Sequence, residues 1–478
     1  MVTEPSTKPE DAGQIAAPDF SDFRDHIATA DKDGRRRWLY PRKPHGPYYQ
    51  WRVAVSWVLL GVLFAGPFVK INGNPLLMMN FFAGRFSILG HIFWPQDMAL
   101  LAVALLLFFA GIMIFTSAFG RLWCGWTCPQ TIFMEMVFRR IEYLIEGDAH
   151  QQRELDKGPW NARKVGIKAF KHVVFFAISF LIANLLLSYI IGLDKLRAII
   201  TDDLSLHYRD LTLMLVFTGI FYAVFARFRE QACTFICPYG RFQSTVLDEN
   251  TMVITYDYKR GEKRAPLNQR PDKKGGDCID CHLCVSVCPT GIDIRDGIQM
   301  ECVNCAACID ACDSVMSRLK QPTGLIRYAS LNSIERGHPF KFTARMFVYS
   351  CIVTALAGLL AFLVLTRANV EASLLRAPGA LFQELPNGHL ENLYILQLIN
   401  KTSRPVPVEL KLEDVPGTLS IMGEAHPVIP REQLFETSVL VEMAPGEVVG
   451  GKRQFQIGLY SEGKRLQVVH TTLIGPRN

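Results

Sequence analysis

A doubled cysteine run in the middle of the chain leaves few folds open to it. Residues 278–289 read Cys278-Ile-Asp-Cys281-His-Leu-Cys284-Val-Ser-Val-Cys288-Pro289, a C-x2-C-x2-C-x3-C-P spacing, and Cys302, Cys305, Cys308 and Cys312 repeat it. Three thiolates at intervals of three wrap three corners of a four-iron, four-sulfur cubane, and in two-cluster ferredoxins the fourth comes from the other run. The spacing therefore predicts two [4Fe-4S] clusters with crossed fourth ligands. Cys278, Cys281, Cys284 and Cys312 hold one, and Cys302, Cys305, Cys308 and Cys288 hold the other. Structural zinc prefers two separated C-x2-C pairs in a tetrahedron and fits this pattern badly. Asp313 follows Cys312 where Pro289 follows Cys288. A negative charge so close should make reduction harder.

The runs lie among apolar stretches. Residues 53–69, 98–120, 173–193, 211–226 and 346–366 contain no Asp, Glu, Lys or Arg. A spanning helix needs about 20 mostly apolar residues, and aromatic flanks such as Tyr48, Tyr49 and Trp51 extend the short first run into an interface. A buried core helix is the alternative for the short fourth run. With 49% hydrophobic and only 20% charged residues, the composition is that of a multi-pass membrane protein. Arg35, Arg36, Arg37, Arg42, Lys43 and Arg52 crowd the first run's N-terminal side, whereas loop 70–97 holds only Lys70 and Arg85. Loop 121–172 is basic again, with Arg139, Arg140, Arg163, Lys164, Lys168 and Lys171, as is the insert 227–345. Lys and Arg stay preferentially inside, so the N-terminus and the cysteine insert are expected to be cytoplasmic and the C-terminus outside. The net charge of +6 is then a topology signal and no mark of nucleic-acid binding. The N-terminus lacks the pattern of a signal peptide, and its polar first 34 residues are expected to be disordered.

Two further pairs stand apart from the runs: Cys124-Gly-Trp-Thr-Cys128-Pro129 after the second apolar stretch and Cys233-Thr-Phe-Ile-Cys237-Pro238 after the fourth. Each closes a helical hairpin, which suggests a duplicated unit. The spacing i, i+4 puts the thiols on one face of a helix turn, and the prolines are expected to break the helix just past the second cysteine. Such thiolates suit a soft metal such as Cu(I), or exchange electrons as a dithiol. The plainer alternative is that they pack as small hydrophobes, the reading that also suits lone Cys351. Trp123 and Trp126 are expected to be interfacial anchors. His91, His207, Met78 and Met79 in the outer loops are weaker candidates for metal than for packing.

Beyond residue 367 the pattern changes to alternating runs, 393–399, 406–412, 437–443, 454–460 and 466–474, separated by turn residues. About 110 residues of short strands read as a β-sandwich of immunoglobulin type, with no catalytic constellation, and so as an interaction module. The expected fold is an α-helical membrane protein of five spans with a ferredoxin-like insert and an outer sandwich. Its parts are a tail at 1–50, a membrane domain at 51–245, the insert at 246–345, a fifth span at 346–366 and the sandwich at 367–478.

The two C-x3-C-P motifs, the double run, Pro289-Thr-Gly-Ile-Asp-Ile-Arg-Asp-Gly297, Gly324-Leu-Ile-Arg-Tyr-Ala329 and the Cys312-Asp313 departure together resemble the CcoG family, also called FixG or RdxA, over nearly the whole chain. The resemblance implies a protein of the bacterial inner membrane that takes part in assembling cbb3-type cytochrome oxidase. It also implies an oxidoreductase of the cupric reductase type, reducing Cu(II) to Cu(I), with oxidase subunits and copper-handling proteins as partners. Cys124, Cys128, Cys233 and Cys237 would then be the catalytic, copper-holding thiols, fed by the clusters from a cytoplasmic donor. Two rivals stay open: a quinol-linked ferredoxin of a respiratory chain, and an assembly scaffold whose clusters act as sensors.

Overall fold

The computed structural model describes residues 28–476 apart from 31–32, 34, 72, 81–83, 89, 95–96, 267–274, 339, 380, 403, 424–426 and 432. The expected disorder of the N-terminus therefore falls largely outside the described residues. The chain forms two compact units, one of Met1–Phe68 with Ala102–Ala357 and one of Val69–Leu101 with Gly358–Asn478.

Among the described residues, four helices are long and apolar enough to cross a membrane: Met98–Phe119, Ala162–Ile191, His207–Phe228 and Ala344–Leu365. The first apolar stretch does form a helix, Pro47–Ala65, but it stops at Gly66-Pro67 and is not among the four. Gly66 is still helical, at φ −52° and ψ −44°, and bonds back to Val62 O at 2.9 Å, but Pro67 supplies no N–H to extend the helix. Ala162–Ile191 is the most enclosed of the four. Asn161 caps it by accepting from the Lys164 N–H at 2.8 Å, and Gly192 ends it at φ 86°. Its Phe175 and Ile182 pack with Phe133, Phe138 and Phe225, Phe138 stacking on Phe225 at 4.7 Å between ring centroids.

Beside this aromatic core lies a buried ionic layer. Glu142 pairs with Arg229 at 2.5 Å and Lys171 at 3.2 Å, and Glu146 with Lys171 at 2.9 Å and Lys168 at 2.8 Å. Arg139, 1% exposed, pairs with Glu135 and reaches Glu230 at 3.7 Å. Burial alone would raise the Glu142 carboxyl, but Arg229 and Lys171 hold it down at about 2. The opposite charges make this layer a lock between the helices; Glu142 is its key member, since its removal would leave the buried Arg229 charge unpaired.

The cysteine insert is a small domain around an antiparallel strand pair, Val253–Tyr256 with Ile326–Ala329, and the helix Ala307–Arg318. Its core includes Ile254, Ile309, Met316, Leu325 and Ile326. The insert is tied to the membrane helices through their unsatisfied ends. Asp310 accepts from the Tyr48 and Tyr49 N–H groups at 3.2 and 2.8 Å, capping a helix whose own N-cap, Gly46, has no side chain to do so. At the other end of a hairpin, Ala118 O accepts from Met252 N at 3.0 Å and Ser117 O from Thr251 Oγ1 at 3.0 Å.

In the second unit, one sheet runs Thr418–Ile421, Leu434–Met443, Leu390–Asn400 and Val370–Arg376, with Gln383–Glu384 paired on Leu390–Asn400. Another runs Glu409–Leu412, Lys452–Ser461 and Lys464–Ile474. Alternate residues such as Leu396, Leu398, Val439, Val441, Leu459 and Leu473 fill a single core between them, as a sandwich requires. Loop 69–101 belongs to this unit. Its Asp97 pairs with Arg367 and Lys401, both at 2.6 Å, and its Ile92 and Trp94 pack on Ile399.

Candidate metal centres

The eight cysteines of the double run surround two cavities. One, of about 330 Å³, is lined by Cys288, Cys302, Cys305 and Cys308, with Cys284 on its wall and Ile254, Ile292, Ile294 and Val303 around it. The other, of about 360 Å³, is lined by Cys278, Cys281, Cys284 and Cys312, with Tyr256, Val315, Met316 and Leu325. Both hold sulfur in a mostly apolar shell, to which His282 and Arg295 add a polar edge in the second, and no carboxylate among the described residues lines either wall. Among the described residues no three His, Cys, Asp or Glu side chains converge tightly enough for a single metal ion. Thiols spread around a cavity suit a multi-atom iron–sulfur core instead.

The backbone is shaped to match. Asp280 and Asn304, two residues after the first cysteine of each run, have φ 53°; His282 and Ala306, one after the second, have φ 54° and 64°. Left-handed residues other than glycine are uncommon. Four at equivalent places alternate the backbone hand and form the concave N–H runs that bind anions. Burial pushes Cys284 and Cys302 up to about 12 and Cys288 up to about 11, so these thiols keep their protons until a metal displaces them. Cys281 is exposed. His282 is exposed too, its Nδ1 2.8 Å from Arg295.

The C-x3-C-P motifs depart from the simple helical expectation. Cys124 sits in a short helix, Leu122–Trp126, and Cys233 in a π-helical turn, Ala232–Ile236. Cys128 and Cys237 are extended, with ψ 125° and 110°. Pro129 and Pro238 do not end a helix; each opens the next one at its first turn. The residue before proline is driven out of the helical region, and proline is pre-shaped for a first turn. The two copies match bond for bond. Cys124 and Cys233 donate their N–H to the carbonyl three residues back, Arg121 and Glu230. Cys128 and Cys237 donate to the carbonyl five back, Trp123 and Ala232.

Burial raises Cys124 to about 11 and Cys233 to about 12; Cys124 also feels the charge of Cys128 and Cys237, and Cys233 that of Cys128, Cys124 and Cys237. The Cys124 thiol donates to Gln243 Oε1 at 3.0 Å. Cys124 also shares an apolar cluster with Val287, Val303 and Cys305. Trp126 is no interfacial anchor: its Nε1 donates to Tyr328 OH at 3.1 Å, which donates to Asn304 O at 2.7 Å. Cys351 is exposed on the helix Ala344–Leu365 and takes no part in packing. Sequence reasoning passed over Arg121 and Gln243; a basic residue three positions before the first cysteine of the pair was the only signal.

A family model of a 4Fe-4S dicluster domain matches residues 228–331, and one of a 4Fe-4S binding domain matches 101–147. A model of the IG-like fold at the C-terminal of FixG matches 360–476. With the apolar helices, these define a membrane iron–sulfur electron-transfer protein. The nitrogen fixation protein FixG of Rhizobium meliloti is 31% identical over 468 residues, covering 89% of this chain and 88% of that protein. Protein RdxA of Cereibacter sphaeroides is 34% identical over 412 residues, 82% of this chain and 86% of its own, and RdxB of the same organism is 28% identical over 475 residues, 94% and 98%. The chain belongs to the FixG/RdxA family. A solved FixG-related protein from Vibrio parahaemolyticus is 18% identical with a TM-score of 0.20, over 23% of this chain and 97% of that one.

Proposed function

We propose that this chain carries electrons through two [4Fe-4S] clusters to its four paired thiols, where Cu(II) is reduced to Cu(I). The cluster at Cys278, Cys281, Cys284 and Cys312 and the cluster at Cys288, Cys302, Cys305 and Cys308 supply one-electron transfer when bound. The ligand sets follow the lining of the two cavities. Exposed Cys281 marks the side at which a soluble donor reaches the first set.

One observation carries the reading: Cys124 packs in the same apolar cluster as Cys305 and Val303, so the thiol pair abuts the wall of a cluster cavity. Each pair, Cys124 with Cys128 and Cys233 with Cys237, supplies two soft ligands, which favour Cu(I) once an electron arrives. Cu(II) takes up one electron, and the metal displaces the thiol protons on binding. Five spans, counting Pro47–Ala65, put the N-terminus and the clusters on the cytoplasmic side of a bacterial inner membrane and the sandwich outside, as the basic loops favour. The part played in oxidase assembly, and the oxidase subunits and copper-handling proteins as partners, rest on the family resemblance.

A second reading has its own support. The 4Fe-4S binding model matches 101–147, which contain only Cys124 and Cys128, so the four paired thiols would together hold a third cluster. Anaerobic purification of the full chain with iron analysis, beside a variant with all four cysteines changed to Ser, separates the two. Iron for two clusters in both proteins, with Cu(II) reduction lost in the variant, supports the copper site. Iron for three clusters falling to two supports the third cluster. A variant that reduces Cu(II) at the wild-type rate would falsify the copper reading.

A further inference from the structure

Arg121 is 4% exposed and stands three residues ahead of Cys124. Its Nη1 donates to the carbonyl of Met300, just before Cys302. Gly240 leaves room for it: an added Cβ there would lie 2.9 Å from Arg121 Nη2 and 2.9 Å from the Cys233 carbonyl oxygen. The guanidinium thus borders both C-x3-C-P motifs and the start of the second cysteine run.

Three other deeply buried arginines have acid partners. Arg229 meets Glu142 at 2.5 Å, Arg295 meets Asp280 at 2.5 Å and Asp293 at 2.6 Å, and Arg139 meets Glu135 and Glu230. Arg52, bonded to Gly125 O at 3.0 Å, lies in the field of Asp310. Among the described residues no carboxylate lies at ion-pair distance from Arg121, and its Nε is buried without an acceptor. A guanidinium does not shed its proton, and a buried charge without an opposite one is costly. It lies against the Met300 carbonyl and against Gly240, whose other close neighbour is the Cys233 carbonyl oxygen. Burial raises Cys124, Cys233 and Cys302, and the Arg121 charge works against that rise at all three.

We propose that Arg121 is a positioning residue, the fixed counter-charge of an anionic metal–thiolate centre at Cys124, Cys128, Cys233 and Cys237, and that the same charge eases reduction of the neighbouring cluster at Cys302. Two thiolates on a monovalent copper, or four around a cubane, leave a net negative charge, and the buried Arg121 guanidinium bordering both motifs is placed to offset it. The first half rests on the four thiols being a metal centre; the second rests only on the cluster at Cys302. Cluster potentials respond to such nearby charge.

The test uses the full chain purified anaerobically as wild type, R121Q, R121K and the four-serine variant. Redox titration of the cluster paramagnetic signals is one readout, and competition for Cu(I) with a soluble chelator is the other. In R121Q one cluster's potential falls while the other's stays, and Cu(I) is held roughly tenfold less tightly, the scale of a lost charged hydrogen bond. R121K restores most of both. Unchanged potentials and unchanged Cu(I) retention in R121Q overturn the proposal. So does loss of cluster signals in R121Q and R121K alike, which marks a role in folding. If the four-serine variant holds Cu(I) as well as wild type, the metal-centre reading fails by itself, and the potential shift still decides the second half.

Discussion

Replacing Gly125 by alanine tests the seam between the paired thiols and the clusters. Gly125 lies in the helix Leu122–Trp126, where alanine would ordinarily be favoured over glycine by about 0.5–1 kcal/mol. At this site an added Cβ would stand 2.3 Å from the Val303 carbonyl oxygen and 3.0 Å from the Asn304 carbonyl carbon and oxygen, where ordinary contact begins at 3.4 Å. These are backbone atoms of the loop between Cys302 and Cys305, and no rotamer change moves them aside. Overpacking of this kind costs about 1–3 kcal/mol, which reverses the sign of the substitution. G125A should therefore unfold several degrees below wild type, as followed by loss of cluster absorbance on heating in detergent. Electron passage from the clusters to the thiols should slow, because the helix carrying Cys124 is pushed off the loop. G166A is the control, since a Cβ at Gly166 meets nothing within 4 Å; it should be neutral or slightly stabilising. A G125A protein as stable as wild type, with unchanged transfer, would refute the direct contact from which the electron route is argued.

Asp313 Oδ1 accepts from Gly324 N at 2.8 Å, a bond asparagine can keep while losing the charge. D313N should therefore raise the potential of the cluster at Cys312 and leave the fold intact; titration of the paramagnetic signals checks both. Glu142, held at about 2 against an ordinary 4.5, contributes stability that is full above about pH 4.5 and is lost as the pH falls through 2. The contribution is roughly 3 kcal/mol. E142Q leaves Arg229 and Lys171 short of their anion, so it should melt well below wild type at pH 7. Its acid profile between pH 4.5 and 2 should be shallower by Glu142's share, with Asp97, Asp156 and Asp293 keeping theirs, and an equally steep profile in the variant would sink the assignment.

The cysteine runs were readable because thiol spacing is a local property: intervals of three and four residues decide what can be wrapped. The sandwich was readable because alternation along Leu390–Asn400 and Leu434–Met443 is also local. What escaped depends on partners distant in sequence. Nothing in loop 70–97 announces that Asp97 will pair with Arg367 and Lys401, 270 and 304 positions away. Likewise Asp310 reads as a helix residue, yet it caps a helix 261 residues earlier through the Tyr49 N–H. The C-x3-C-P motifs were seen but their shape was misjudged. The i, i+4 rule presumes continuous α-helix, whereas Cys128 and Cys237 sit before proline, outside the helical region.

The two C-x3-C-P turns make that geometry informative, because their cysteine N–H bonds correspond while the flanking charge differs. The carbonyl that receives the first cysteine's N–H belongs to Arg121 in one copy and to Glu230 in the other. Glu230 is committed to cations, meeting Arg36 at 3.2 Å and Arg139 at 3.7 Å, and so belongs to the ionic layer beside the helices. Arg121 instead bonds the Met300 carbonyl, two residues before Cys302, and its charge opposes the effect of burial on Cys233. Two identical copies would either crowd two cations among the thiols or repel thiolates with two anions. One copy given to structure, and the other to the metal centre proposed above, resolves this. The copy bearing Arg121 is also the one whose cysteine packs on Cys305 and Val303.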